Sequence, residues 1–589
     1  MAAGSWPSIP AMFFDWVGRR GDRPFLWGKH RGTWSPVTWA EAEGQVRTLA
    51  RGLRALGVKP GDRVAMIMEN RPEWELADLA IMSAGAITVP AYTTYTSEDY
   101  RHVLADSDAT VLILGNAPGM AQRVLPAADQ ISHLSAIVSL DQLKGQTRAD
   151  SFTWQQLMVR AAEVPDTTDA TVAALQPDDT ACLIYTSGTG GVPKGVMLTH
   201  RNMMSNAAGA QAVFEAAWDL GDEVFLSFLP LTHSYEHTAG VVFPLSLGAQ
   251  TYFTAPETLA ADMGEVRPTI MTAVPRLCET LQKRIVQAAD RGGLLRRTLF
   301  RWAVGLGTRR YNRGGTLTKV ESLVDGLLDR LVRAKVQQRF GGRLKAFVSG
   351  GAPLNRDVGL FFVALGVKLI QGYGQTESGP VVSVNPPNRI KVHTVGPPLA
   401  GVEVRIGEDG EVLVRGPNVM KGYWRDEETT ARTIRDGWLH TGDIGELDGD
   451  GYLSITDRKR DFIKNSGGEM ISPQRIEGFL TLQPGLAQAM VYGDRKPYVV
   501  ALIVPDDETL SKHPEGNVAA DPEVQQRIAD AVAEANRVLT GAERVRRFLI
   551  LDEAFTVANG MMTPTLKIKR HMIRQRYGEA LERLYEGKG

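Results

Sequence analysis

The sequence predicts an α/β protein: a large N-terminal domain of mixed sheets flanked by helices, followed by a smaller α+β C-terminal domain. Three observations carry this. Short apolar runs alternate with amphipathic stretches of helical period, the pattern of strands joined by crossover helices. Several of those runs end in glycine-rich turns, where open α/β sheets bind ligands. Beyond Thr456 the rhythm breaks into a charge-dense run, Asp457–Asn465 (DRKRDFIKN), and then into shorter α+β patterns.

In chain order, Asp62–Glu69 (DRVAMIME) reads as a buried strand, Pro72–Ser83 as an amphipathic helix and Ala86–Ala91 as the next strand. Ser97–Ala105 then reads as a helix and Ala109–Leu114 (ATVLIL) as a strand. Strands spaced this way form a parallel sheet covered on both faces. The pattern recurs at Ala181–Thr186, Glu223–Leu229, Thr269–Val274, Lys345–Ser349 and Lys368–Tyr373. Gln282–Arg343 departs from it as a long helical insertion with sixteen basic and four acidic residues, counted through Lys345. Near the end, Tyr498–Val504 reads as a strand and Pro522–Leu539 as a helix. The boundary is expected near Arg458–Arg460. That gives a large domain over residues 1–457, with its basic insertion at about 282–343, and a small domain over residues 458–589.

Charge excludes some classes. The 589 residues carry 66 Lys and Arg against 67 Asp and Glu, which speaks against a surface built for nucleic acid. Cys182 and Cys278 are the only cysteines, too few for a disulfide framework or a thiolate metal site, and a reducing compartment is the simplest reading. Met1–Trp16 holds two prolines and no basic start or continuous apolar core, so it does not read as a signal peptide. The longest apolar stretches, Leu79–Val89 and Ala239–Leu247, fall short of the roughly 20 residues a spanning helix needs. A soluble cytoplasmic protein is expected.

The strongest chemical signal follows the apolar run Ala181–Ile184. It is Tyr185-Thr-Ser-Gly-Thr-Gly-Gly-Val-Pro-Lys194, in which Thr186, Ser187, Gly188, Thr189, Gly190 and Gly191 offer hydroxyl and backbone donors. Such a loop wraps a polyphosphate, and Lys194 adds a mobile positive charge. It is not a GxxxxGK[ST] P-loop.

Five further motifs follow in order: Gln371-Gly-Tyr-Gly-Gln-Thr-Glu377, Gly437-Trp-Leu-His-Thr-Gly-Asp443, Asp457-Arg-Lys-Arg-Asp461, Ile463–Pro473 (IKNSGGEMISP) and Thr563–Arg570 (TPTLKIKR). On these the chain resembles the adenylate-forming superfamily of acyl-CoA synthetases, luciferases and nonribosomal-peptide adenylation domains. The resemblance implies ATP and Mg²⁺ as cofactors. Activating a carboxylate brings two anions together, so the site must neutralise charge. By resemblance, Glu377 holds the Mg²⁺ with help from Thr186, and Thr376 offers its hydroxyl to the α-phosphate. Asp443 takes the ribose hydroxyls and Arg458 supports ribose or phosphate. Gly351, Ala352 and Pro353 let the backbone approach the adenine, on which Tyr373 stacks within the turn of Gln371, Gly372 and Gly374. Lys567 matches the lysine that bridges carboxylate and α-phosphate, and His233 matches the gate of the acyl pocket. Two departures stand out: Leu566 where many members have Gly, and Gly190 where the loop more often carries Thr.

The resemblance also implies two half-reactions. An acyl adenylate forms with release of pyrophosphate, and a thiol then attacks it to release AMP. Between them the small domain is mobile, turning about a hinge that aligns with Arg460, withdrawing Lys567 and bringing Lys464, Gly467 and Gly468 to the thiol tunnel.

Val274-Pro-Arg276, the long helical insertion and Arg343–Leu354 narrow the resemblance to long-chain fatty acyl-CoA synthetases, with a fatty acid, ATP and CoA as substrates. Three alternatives stand beside it: transfer to a carrier protein, activation of aromatic or short acids, and a nucleotide-binding module that has lost turnover. The last is disfavoured because Glu377, Asp443 and Lys567 are all present. Leu294, Leu295, Leu299, Trp302 and Leu306 recur at helical spacing in the basic insertion. A helix of that kind rests on anionic lipid, the inner face of a membrane, or else packs on the large domain as a solvated helix. A homodimer is implied by resemblance only.

Overall fold

A computed structural model describes residues 6–145, 147–186, 192–459, 462–467, 469–514, 516–563 and 567–586. Two eight-stranded sheets dominate it. One runs Gly422–Tyr423, Lys194–Thr199, Thr180–Thr186, Ile87–Pro90, Arg63–Ile67, Ala109–Leu114, Ala136–Ser139 and Asp150–Thr153. The other runs Val381–Val384, Leu369–Gly374, Ala346–Ser349, Ile270–Ala273, Val224–Ser227, Gln250–Phe253, Pro24–His30 and Thr33–Thr38. Their centres are parallel, as the alternation predicts, but antiparallel strands close both edges of the second sheet and one edge of the first, whose other edge, Asp150–Thr153, is parallel. Thr180–Thr186 pairs parallel with Ile87–Pro90 and antiparallel with Lys194–Thr199, which sets Thr186 opposite Lys194.

Local rules explain where elements begin. Thr96 and Thr199 start their helices as capping boxes with Asp99 and Asn202, which satisfy two of the otherwise unpaired N–H groups. Pro72 opens a helix at a position where a missing N–H is harmless. That helix, Pro72–Ser83, is not amphipathic as expected: it is buried at every residue except Glu73, because both of its faces are covered by protein. One apolar cluster takes Val64, Cys182 and Ile184 from the first sheet and Phe225, Ile270 and Ala346 from the second, so the two sheets share a core.

A five-stranded sheet, Glu403–Ile406 to Leu453–Arg458, follows. The remainder forms clusters of its own around the three-stranded sheet of Leu486–Tyr492, Val499–Pro505 and Val545–Ile550. The insertion is helical: Pro275–Asp290, Leu294–Asn312, Lys319–Leu328 and Ala334–Arg339, with a π-helical turn at Asp329–Arg333. Leu299 and Leu306 differ from the expectation for a single amphipathic face: both are half-buried, while Leu294, Leu295 and Trp302 stand in solvent.

Candidate active site

Strand ends deliver the residues. The loop after Val224–Ser227 carries His233, Ser234 and Tyr235, that after Ala346–Ser349 carries Gly351, Ala352 and Pro353, and that after Leu369–Gly374 carries Thr376 and Glu377. The Ser234 and Thr376 hydroxyls share a hydrogen bond of 2.9 Å. Tyr235 donates to the Val348 carbonyl at 2.7 Å and lays its ring against Gly350, where a Cβ would stand 3.1 Å from the ring. Gly351 sits at φ +79°, a conformation open to glycine, and it lies exposed with Ala352 and Pro353.

On the side expected to hold the nucleoside, Tyr373 donates to Asp443 Oδ2 at 2.6 Å, and Arg458 Nε lies 3.7 Å from the other carboxylate oxygen. Asp443 and Arg458 face each other across an antiparallel pair. Burial and the Asp443 charge raise the Tyr373 phenol above its ordinary range. Gly374 packs against the Pro380 carbonyl with no room for a side chain, and Gly372 lies close to that of Ser383, where a Cβ would stand 3.2 Å away. Gln371 is buried and donates to the Val392 carbonyl, a structural bond.

On the side expected to hold the phosphates, Glu377 Oε1 accepts from the Tyr423 hydroxyl at 2.9 Å. Lys194 Nζ lies 2.7 Å from both Asp426 and Thr429, and 5.4 Å above the Tyr423 ring. The sequence predicts a mobile lysine; here Lys194 is clamped, and the pairing holds Asp426 down at about 2. Thr186 pairs with Lys194 across the antiparallel strands. Ser187, Gly188, Thr189, Gly190 and Gly191 lie outside the described residues. Among those described, no group of three His, Cys, Asp or Glu side chains can hold a metal ion. Glu377 and Thr186 are oxygen donors of the kind that Mg²⁺ takes beside phosphate and water.

Lys567 enters from the small domain and lies close enough to feel Arg458, Asp443 and Glu377. Burial, reinforced by Arg458 and opposed by the two carboxylates, pushes its ammonium down to about 8. It acts in turn on His233, which burial first and Lys567 second hold at about 3; the imidazole is neutral, and its Nδ1 accepts from Tyr235 N–H. The Lys567 loop is pinned at both ends. Thr563 N–H donates to the Lys567 carbonyl at 2.7 Å, and Arg570 forms a two-pronged pair with Glu477 at 2.6 Å. Lys464 and Gly467 are elsewhere, exposed on the hairpin of Ile463–Lys464 and Met470–Ile471. Arg460 and Gly468 lie outside the described residues.

Sequence reasoning missed Ser234, Tyr423, Asp426 and Glu477. Tyr423 belongs to a two-residue strand paired with Val196, and an element that short has no periodicity to read.

The arrangement gathers a buried carboxylate with an arginine, a second carboxylate with a clamped lysine, and a further lysine brought in by the small domain. It suits the holding of a nucleoside triphosphate beside an acid. Models of the AMP-binding enzyme family and of its C-terminal domain match residues 13–424 and 460–589, and the chain belongs to that family. It is 36% identical over 600 residues to the long-chain-fatty-acid--CoA ligase FadD15 of Mycobacterium bovis, covering 99% of this chain and 98% of that one. Fatty acyl-CoA synthetase A of Dictyostelium discoideum is 32% identical, with coverages of 96% and 88%. In fold, it is similar to the adenylation domain of carboxylic acid reductase from Segniliparus rugosus, solved with AMP and a co-purified carboxylic acid, at TM-score 0.76 and 23% identity over 98% of this chain and 94% of that one. The anthranilate CoA ligase AuaEII, with anthranoyl-AMP, gives 0.73 at 21% over 98% and 99%.

Proposed function

We propose that the chain activates a long-chain fatty acid with ATP to fatty acyl-AMP and pyrophosphate, and then passes the acyl group to CoA, releasing AMP. The observation that carries this is Lys567 reaching from the small domain to the charges of Glu377, Asp443 and Arg458; full-length likeness to long-chain-fatty-acid--CoA ligases supports the choice of acid. In this reading Asp443, with Tyr373 and Arg458, takes the ribose, and Thr376 contacts the α-phosphate. Lys567 bridges carboxylate and phosphate as charge builds, and His233, neutral, lines the acyl entrance. Glu377 and Thr186 hold the Mg²⁺, which when bound neutralises phosphate charge.

The chain divides near Arg458–Arg460, just past the strand that pairs Arg458 with Asp443, a reading supported by the separate apolar clusters and by family matches that end at 424 and resume at 460. The small domain turns about the Arg460 segment, bringing Lys464, Gly467 and Gly468 to the CoA thiol. A cytoplasmic enzyme at the inner face of a membrane fits the partition of such acids into lipid, although no helix among the described residues is long and apolar enough to cross one. Homodimerisation rests on family resemblance, and light scattering tests it.

The test is mass spectrometry of products from ATP, Mg²⁺ and acids graded from acetate to long chains, with and without CoA. Acyl-CoA and AMP, peaking with the long chains, is the expected result. Acyl-AMP that ignores CoA would transfer the reading to a carrier protein, and a peak with short or aromatic acids would overturn the acid.

A further inference from the structure

Twelve large hydrophobic side chains stand exposed among the described residues, and seven of them belong to the insertion. Leu294, Leu295 and Trp302 lie on the helix Leu294–Asn312, at 78, 72 and 59% exposure. Val320, Leu323 and Leu327 lie on the next helix at 71, 78 and 55%, and Leu331 follows in the π-helical turn. The two helices adjoin: Trp302, Leu306, Val320 and Val324 line one groove of about 300 Å³.

The platform is rigidly mounted. Arg333, 4% exposed, pairs with Asp325 at 2.7 Å and donates to the carbonyls of Ala303 and Ala364, tying both helices to the large domain. Gly307 lies flat against the Ala364 backbone, and Phe300 meets Phe361 at 6.1 Å. The bond from Val392 N–H to the Tyr311 hydroxyl, 3.0 Å, adds a further tie. Packing on the large domain therefore accounts for the inner face of these helices and leaves the outer apolar face uncovered.

The charges select what covers it. Each acid of the two helices is already engaged: Glu321 by Arg309 and Arg313, Asp325 by Arg310 and Arg333, Asp329 by Arg333. Arg291, Arg296, Arg301, Lys319 and Arg330 are exposed and make no ion pair with an acid among the described residues. Apolar side chains beside uncompensated arginines match a surface that is greasy within and negative at its boundary. A second copy of the chain fits worse, because a two-fold interface would press this positive patch onto itself.

We propose that the outer face of Leu294–Asn312 and Lys319–Leu331 seats the protein on an anionic lipid bilayer, with Leu294, Leu295, Trp302, Leu323 and Leu327 entering the interface and Arg296, Arg301 and Arg330 meeting the headgroups. This names the surface and lipid charge for the membrane-side reading above; its test uses no acid and the product test uses no vesicles, so the two fail separately.

The experiment is co-sedimentation of the full chain with phosphatidylcholine vesicles and with equimolar phosphatidylcholine and phosphatidylglycerol vesicles. The parent protein should bind the anionic vesicles and release them at high salt. Replacing Leu294, Leu295 and Leu323 together by Ser, or reversing charge with Arg296→Glu and Arg301→Glu, should each weaken that binding roughly tenfold or more. ATP–pyrophosphate exchange without vesicles, and the melting temperature, should hold for both variants. Equal binding to neutral vesicles, absence of binding to anionic ones, or full binding by either variant would overturn the proposal. So would a parent oligomer that the leucine variant dissolves, which would give the face to a second copy.

Discussion

Glu377 serves a cation only if its charge points at the phosphates, and the side chain that governs this is Tyr423. Its hydroxyl engages Oε1 at 2.9 Å, while its own ring supports the Lys194 ammonium. Tyr423 thus positions both charged groups of the phosphate side, and its backbone is fixed by pairing with Val196 beside Lys194. Tyr423→Phe keeps the ring and removes only the bond. A hydrogen bond to a charged group contributes about 1.5 kcal/mol or more, so affinity for ATP with Mg²⁺ should fall roughly tenfold. Titration calorimetry in EDTA should find metal-free ATP binding unchanged, with the melting temperature unmoved. Equal weakening with and without Mg²⁺ would reduce Tyr423 to a packing residue.

At the scale of elements, the insertion hangs on Arg333. Removing a buried cation leaves its partner's charge uncompensated, and Asp325 has only Arg310, itself half in solvent, to fall back on. Arg333→Met should therefore cost about 3–5 kcal/mol in urea unfolding, far more than the loss of an exposed pair such as Arg415–Glu403; a loss under about 1 kcal/mol would refute that linchpin role. The same contrast shows what the sequence made legible. Pro72–Ser83 and Ala109–Leu114 appear at the predicted bounds, set by the opening Pro72 and by the unbroken apolar run, although the helix is buried all round. Asp443, Glu377 and Lys567 are legible through motifs that resemble a known family's, and the fold brings them near one another. Bonds such as Tyr423–Glu377 and Arg570–Glu477 join positions 46 and 93 residues apart, where no local rule applies. The Lys194 clamp and the second apolar helix of the platform stayed hidden for the same reason: each depends on which chain segment tertiary packing lays alongside.

Across the whole molecule, the ionisation of Lys567 reports where the small domain stands. Its pKa near 8 has burial and Arg458 as cause, and both belong to the docked arrangement; in water the ammonium titrates at about 10.4. The protonated form carries the charge that adenylation needs. Lys567 holds its proton below about 8 and loses it as pH rises through that value. The kcat/KM for ATP–pyrophosphate exchange, which reports the free enzyme, should thus fall about tenfold per pH unit on the alkaline side. On the proposed rotation, thioester formation from supplied acyl-AMP runs with Lys567 withdrawn and should lack that limb, rising instead as the CoA thiol ionises near 8.5. Lys567→Arg, charged throughout, should erase the limb from the exchange reaction, while Lys567→Ala should lower exchange by about two to three orders of magnitude and spare the second step. If both half-reactions of the parent enzyme share one alkaline limb, or Lys567→Ala slows both equally, the small domain does not move between them and a single arrangement must perform both steps.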